Sequence, residues 1–132
     1  MSKDEGDSVV EHVELASGPR GVIIGVRVAS GECPAEDFLA GLDSQAQTQF
    51  KARFEQLTSV GYLRNPDQYR RLEVKGEPMV YEIKAHCGPG WRLYVVQVGK
   101  TWIATHGCQK PKDRRVPNEV EKARKIFEEW TP

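Results

Sequence analysis

Between Leu72 and Gln109 the chain is dense in groups that can do chemistry. They are Glu82, Lys84, His86, Arg92, Tyr94 and His106, with Lys110 and Lys112 just beyond. A guanidinium stays protonated and can hold two oxygens of an oxyanion at once. An imidazole exchanges protons near neutrality. Tyr94 lies two residues from Arg92, a spacing that puts both side chains on one face of a strand. Plainer uses compete with these. Arg92 can pair with Glu82 on a neighbouring strand, Tyr94 can be core or edge packing, and the lysines can be solvated surface. His86-Cys87 and His106-x-Cys108 supply four nitrogen and sulfur donors of kinds that zinc accepts. Their spacing matches no zinc motif, so the sequence is read with no metal and no cofactor.

These residues sit on a segment that reads as a small sheet. Four runs of β-branched and aromatic residues are separated by Gly76-Glu77-Pro78, Cys87-Gly88-Pro89-Gly90 and Gly99-Lys100. Strands joined by such short breaks form an antiparallel meander. Trp91 to Val95 is its strongest strand, with Thr101 to His106 as hairpin partner. Upstream, Val9 to Leu15 alternates loosely and Gly21 to Ala29 reads as a strand. A short helix is expected from Pro34 to Leu42, with proline and acidic residues in its first turn.

A second helix is expected from Ser44 to Val60. Ser44 and Gln47 have capping-box spacing, and Ala46, Phe50, Phe54, Leu57 and Val60 recur at the period of one helical face. Gly61 suits a left-handed C-terminal stop. Tyr62 to Gln68 reads as a loop. The last helix runs from Pro117 to Trp130, burying Val120, Ala123, Ile126, Phe127 and Trp130. The order of elements gives an α+β fold, a small mainly antiparallel sheet with helices packed on one face. Residues 1–20 form a flexible or partly ordered extension, with residues 1–7 disordered, and residues 21–132 a single domain.

Composition narrows the class. The 132 residues carry 19 basic and 19 acidic side chains, a formal net charge of zero. That balance hides an asymmetry, because residues 1–43 hold nine acidic against three basic groups and residues 44–132 hold ten against sixteen. A basic C-terminal two-thirds attracts polyanions. The charged start, MSKDEGDS, lacks the apolar core of a secretory signal, and no apolar run has the roughly 18 to 20 residues of a membrane span. Three widely spaced cysteines fit a reduced setting better than a disulfide framework. A cytoplasmic protein is the expectation.

Four local signatures, in order, resemble the RelE/HigB superfamily of bacterial toxin–antitoxin toxins, in its phage-derived HigB-like branch. They are Ser30-Gly31 to Pro34 and Phe38-Leu39, then Tyr81-Glu82-Ile83-Lys84, then Trp91-Arg92-Leu93, then His106-Gly107-Cys108-Gln109-Lys110 followed by Pro117, Glu119-Val120 and Ala123. The resemblance spans about Val26 to Phe127. The chain departs from the branch at Cys108, where an aromatic is usual, at Pro111 in place of a second lysine, and at Lys84 in place of arginine.

The resemblance implies a RelE-like fold and a ribosome-dependent endoribonuclease that cuts mRNA without a metal, by attack of the ribose 2′-OH on its own 3′ phosphate. Such a site needs a proton acceptor, positive charge for the transition state and a donor for the leaving oxygen. On this reading Arg92 supplies transition-state charge, Lys84 supports it, and His106, Tyr94 or Glu82 is the base. Lys110, Lys112, Arg114 and Arg115 contact RNA. The implied partners are a small antitoxin docking through a helical segment, the ribosome and mRNA. No membrane partner is implied. No helix-turn-helix is found, so direct DNA binding falls to the antitoxin. Two alternatives share the fold: a non-enzymatic toxin of the ParE type that binds DNA gyrase, and a degenerate module that keeps only binding.

Overall fold

The structure, a computed structural model, describes residues 11–130. Six strands form one mixed sheet: β1 (Val13–Gly18), β2 (Gly21–Gly25), β3 (Tyr69–Arg71), β4 (Tyr81–Ala85), β5 (Trp91–Val98) and β6 (Thr101–Gln109). The helices are α1 (Pro34–Ala40), α2 (Ser44–Val60) and α3 (Val116–Phe127), with a 3₁₀ turn at Asp113–Arg115 leading into α3. The spatial order of strands is β1-β2-β6-β5-β4-β3. All neighbours are antiparallel except β2 and β6, which run parallel with Val22 beside Thr101 and Gly25 beside Ala104. This is the expected α+β class with a mainly antiparallel sheet.

The described part of the 1–20 segment belongs to that sheet. Val13–Gly18 pairs with β2 through a two-residue turn at Pro19-Arg20, so the edge strand sits later than the expected Val9 to Leu15. Val9 and Val10, and the stretch 1–7 expected to be disordered, lie outside the described residues. The meander also shifts. Its first strand is Tyr69–Arg71, not the run from Leu72, and residues 72–80 form the connection to β4. Leu72 and Val80 are apolar because that connection drops both into the core. The strand expected at Gly21 to Ala29 ends at Gly25, with the Val26 N–H still donating to Ala104 O of β6 at 3.0 Å.

α2 has the expected bounds, but its cap differs. Asp43, not Ser44, is the N-cap, its side chain accepting from the Ala46 backbone at 2.8 Å. Gln47 reaches away from Ser44 and donates to Leu39 O at 2.9 Å, tying α2 to α1. Gly61 ends the helix with φ 96°, a left-handed conformation that costs a Cβ-free residue little. Val60 is exposed rather than part of the stripe, and Thr58 is buried in its stead, its hydroxyl donating to Phe54 O.

α1 and α2 lie on one face of the sheet over Ile23, Ile83, Leu93, Val95, Trp102 and Ala104. Phe38, Phe50, Phe54 and Trp91 form a chain of ring contacts there. The other face is partly covered by α3, whose Val120 and Ala123 pack with Tyr94, Val96, Ile103 and Val26. Arg124 fastens α3 further. Its guanidinium donates to the carbonyls of Val74, Lys75, Gly76 and Pro78 at 2.9–3.0 Å, which locks the helix to the β3–β4 connection.

One irregularity decides which side chains meet under α3. Tyr94 pairs with His106 but Val95 pairs with Ala104, so Thr105 is an extra residue on β6. A bulge of this kind reverses the alternation of the strand beyond it. Counted from Trp102, a regular strand would send His106 to the α1–α2 side. The bulge turns His106 and Cys108 to the α3 side and turns Gly107 toward α1, where any Cβ would overlap the Phe38 ring.

Candidate functional site

The face under and beside α3 gathers all five acid–base and charge candidates. Across the strands, Glu82 faces Tyr94, Tyr94 faces His106, and Lys84 faces Arg92, which faces Cys108. Strand alternation places Glu82, Lys84, Arg92 and Tyr94 together. The bulge adds His106.

Glu82 is the centre of the charged half. It is 2% exposed, yet three cations converge on it. Arg92 Nε lies 3.4 Å from Oε1. Arg70 Nε and Nη2 lie 2.9 and 2.8 Å from Oε2, and Lys84 Nζ is 4.0 Å from the same oxygen. The expected Arg92–Glu82 pair therefore exists, as a diagonal contact between β4 and β5. Arg70 was not among the candidates. It falls between the expected loop, which ends at Gln68, and the run from Leu72, but on β3 it stands directly opposite Glu82.

One carboxylate cannot neutralise three cations, so the cluster keeps an excess of positive charge. Buried ion pairs recover their desolvation cost only partly and are weak contributors to stability. Arg92 and Lys84 are the buried members, whereas the Arg70 side chain is 47% exposed and solvent carries part of its charge. Burial lowers the Lys84 amine from its ordinary value; Glu82 opposes that shift, while the nearby Arg70 and Arg92 charges reinforce it. Lys84 thus holds its proton less tightly than a free lysine does.

The second half of the site is closed. His106 is 2% exposed, with Nε2 2.8 Å from Glu119 Oε1 of α3 and Nδ1 3.2 Å from the Thr105 hydroxyl. Burial lowers its pKa below the ordinary value and outweighs the opposing effect of Glu119. The ring stacks on Tyr94 at 4.9 Å between centroids. Tyr94 is fully buried, its hydroxyl is 3.5 Å from Cys108 Sγ, and burial drives its pKa far up. Movement of α3 would be needed for a substrate to reach His106. Glu119, which orients that ring, was read in the sequence only as part of a closing-helix signature.

The basic run is placed beside the charged half. Lys110 N–H donates to Gly90 O at 2.9 Å, and Gly90 sits between the Lys110 stem and the Arg92 guanidinium. Lys112 precedes the 3₁₀ turn, and Arg114 and Arg115 lie in it. All four side chains are exposed and form no ion pair among the described residues.

His86 is elsewhere, its Nε2 2.6 Å from Asp67 O. Among the described residues, no group of three or more His, Cys, Asp or Glu could hold a metal, and the three cysteines are free thiols. Among these residues, no helix is long and apolar enough to cross a membrane. Compared with known protein families and with curated proteins, the chain matches none.

Proposed function

We propose that this chain is the toxin of a toxin–antitoxin pair, a cytoplasmic endoribonuclease that cuts mRNA on the ribosome and needs no metal. The observation that carries the reading is the convergence of Arg70, Lys84 and Arg92 on one buried carboxylate, beside the exposed Lys110–Arg115 run. The resemblance of the strand signatures to RelE/HigB toxins supplies the reaction class.

The reaction forms a bond from the ribose O2′ to the adjacent phosphorus and breaks the bond from that phosphorus to O5′. The 2′-OH proton must be taken up and O5′ must receive one. Of the base candidates Glu82 alone lies in the charged cluster, and the Lys84 ammonium beside it is placed to give a proton to O5′, burial having weakened its hold on that proton. Arg92 supplies fixed charge to the phosphorane-like transition state. Glu82 holds both cations in place. Lys110, Lys112, Arg114 and Arg115 carry the flanking RNA. A 2′-OH nucleophile makes RNA the substrate and excludes DNA. The partner that silences the toxin is a small antitoxin, whose helical segment and acidic residues cover the basic surface.

The test is expression of the chain alone in a bacterial host, with growth and primer-extension maps read together, for the wild type and for Arg92→Ala and Lys84→Gln. Growth arrest with new cuts inside translated regions, lost in both variants, is the expected outcome. Arrest with intact mRNA and lost gyrase activity would overturn it in favour of the ParE-type alternative. No effect from folded protein would leave a binding module.

A further inference from the structure

We propose that Arg70 and the cleft beside edge strand β3 form a nucleotide subsite next to the reacting phosphate. Arg70 holds Glu82 in the free protein and turns its guanidinium to a backbone phosphate when RNA binds. This rests on the RNA-cleaving reading above and adds to it a binding element on the strand that the five candidate residues leave out.

Three observations carry it. The first is unequal burial. The side chains of Arg92 and Lys84 are 6% and 12% exposed, whereas that of Arg70 is 47% exposed. Of the three cations on Glu82, Arg70 alone can change partners without crossing the protein interior. The second is stoichiometry. Arg70 spends two donors on a single carboxylate oxygen, Oε2, which Lys84 also approaches. Should Arg70 leave, Glu82 keeps Arg92 on Oε1 and Lys84 on Oε2, so no buried charge is orphaned. Exchange of one oxyanion for another preserves the charge-assisted bonds of the guanidinium.

The third observation is what lies next to Arg70. A cleft of about 450 Å³ is lined by Asn65, Pro66, Arg70, Arg71, Glu73 and Tyr81. That volume is within the roughly 300–1,000 Å³ of small-ligand sites. Its walls supply the contacts a nucleotide uses. Tyr81 offers an aromatic surface backed by Tyr69, the two rings stacked 5.0 Å apart and 3° from parallel. Bases stack on such rings whatever their sequence. Arg71 offers a second guanidinium, now paired with Glu73 at 2.8 Å where both side chains are exposed. Asn65 offers an amide for a base edge. Tyr81 and Arg71 project on the α1–α2 side of the sheet and Arg70 on the α3 side, so the cleft wraps the edge at β3, and Arg70, both a wall of it and a ligand of Glu82, links it to the charged cluster.

The test is binding of a short fluorescein-labelled RNA in which every 2′-OH is methylated, which blocks cleavage. Anisotropy titrations at several salt concentrations compare the wild type with Arg70→Gln, Arg70→Lys, Tyr81→Leu and Lys84→Gln, and thermal melting checks that each is folded. Arg70→Gln is expected to weaken binding roughly tenfold and to reduce the slope of log affinity against log salt by about 0.7, the loss of one phosphate contact on a single strand. Arg70→Lys is expected to keep the slope. Tyr81→Leu is expected to weaken binding on the order of fivefold with the slope unchanged, as loss of a stack would. If Arg70→Gln binds as the wild type does while Lys84→Gln loses affinity and slope, the subsite is refuted and the RNA reading stands. If the folded wild type binds no RNA at any salt concentration, with or without bacterial ribosomes present, the RNA reading fails and the subsite falls with it.

Discussion

The two faces of this sheet are built from the same strands and solve different problems. The face under α1 and α2 is built of aliphatic and aromatic side chains, with Phe50, Leu57, Ile83, Leu93 and Trp102 buried together. The face toward α3 begins the same way at Val26, Val96 and Ile103, then gives way to buried Glu82, Arg92 and His106. Burying ionisable groups costs free energy that a hydrophobic residue of similar size would not. Both faces bury a hydrophobic cluster, and the second adds ionisable groups whose burial works against stability.

That contrast can be broken from either side. The largest effect is expected on the apolar face. Phe50→Ala removes a ring at the junction of Phe38 and Phe54 and should cost about 3–5 kcal/mol in urea unfolding. RNA binding by the fraction still folded should be unchanged.

On the charged face, Glu82→Gln leaves Arg92 buried without its counter-charge and should cost about 3 kcal/mol. The double variant Glu82→Leu with Arg92→Met should recover most of that stability while cleavage stays lost. If the double variant were as unstable as the single, the cluster would be a stabilising element and the contrast between the faces would fail.

A smaller loss is expected where α3 is fastened. Arg124→Ala removes four charge-assisted bonds to carbonyls of the β3–β4 connection, and about 2 kcal/mol should be lost in the same assay. Hydrogen exchange should show the amides of α3 opening while those of α2 remain protected.

The smallest effect is a slope with pH. Burial holds the folded His106 pKa below its unfolded value of about 6.5, so between the two values the unfolded chain binds more protons. Stability is therefore fully present above pH 6.5 and is lost as pH falls toward the folded value. His106→Gln should flatten that part of the stability–pH curve relative to the wild type. His12, also shifted down by burial, contributes equally to both proteins and cancels in the difference.

Much of this was legible in the chain because it depends on local period and end signals. The bounds of α2, the left-handed stop at Gly61 and the buried positions Val120 and Ala123 of α3 follow from spacing along one segment. So does the sharing of one face by Arg92 and Tyr94, since strand alternation needs no partner. The residue types of the charged cluster were also readable, because arginine, lysine and glutamate so close together on strands are unusual whatever the fold. The tertiary structure alone decided which of them meet. Pairing register brought Arg70 of β3 opposite Glu82 of β4, and packing of α3 set Glu119 against His106. The bulge at Thr105 turned His106 from one face of the sheet to the other. Register, bulges and helix docking are settled by contacts between segments far apart in the chain, where the periodicity of any one segment carries no information.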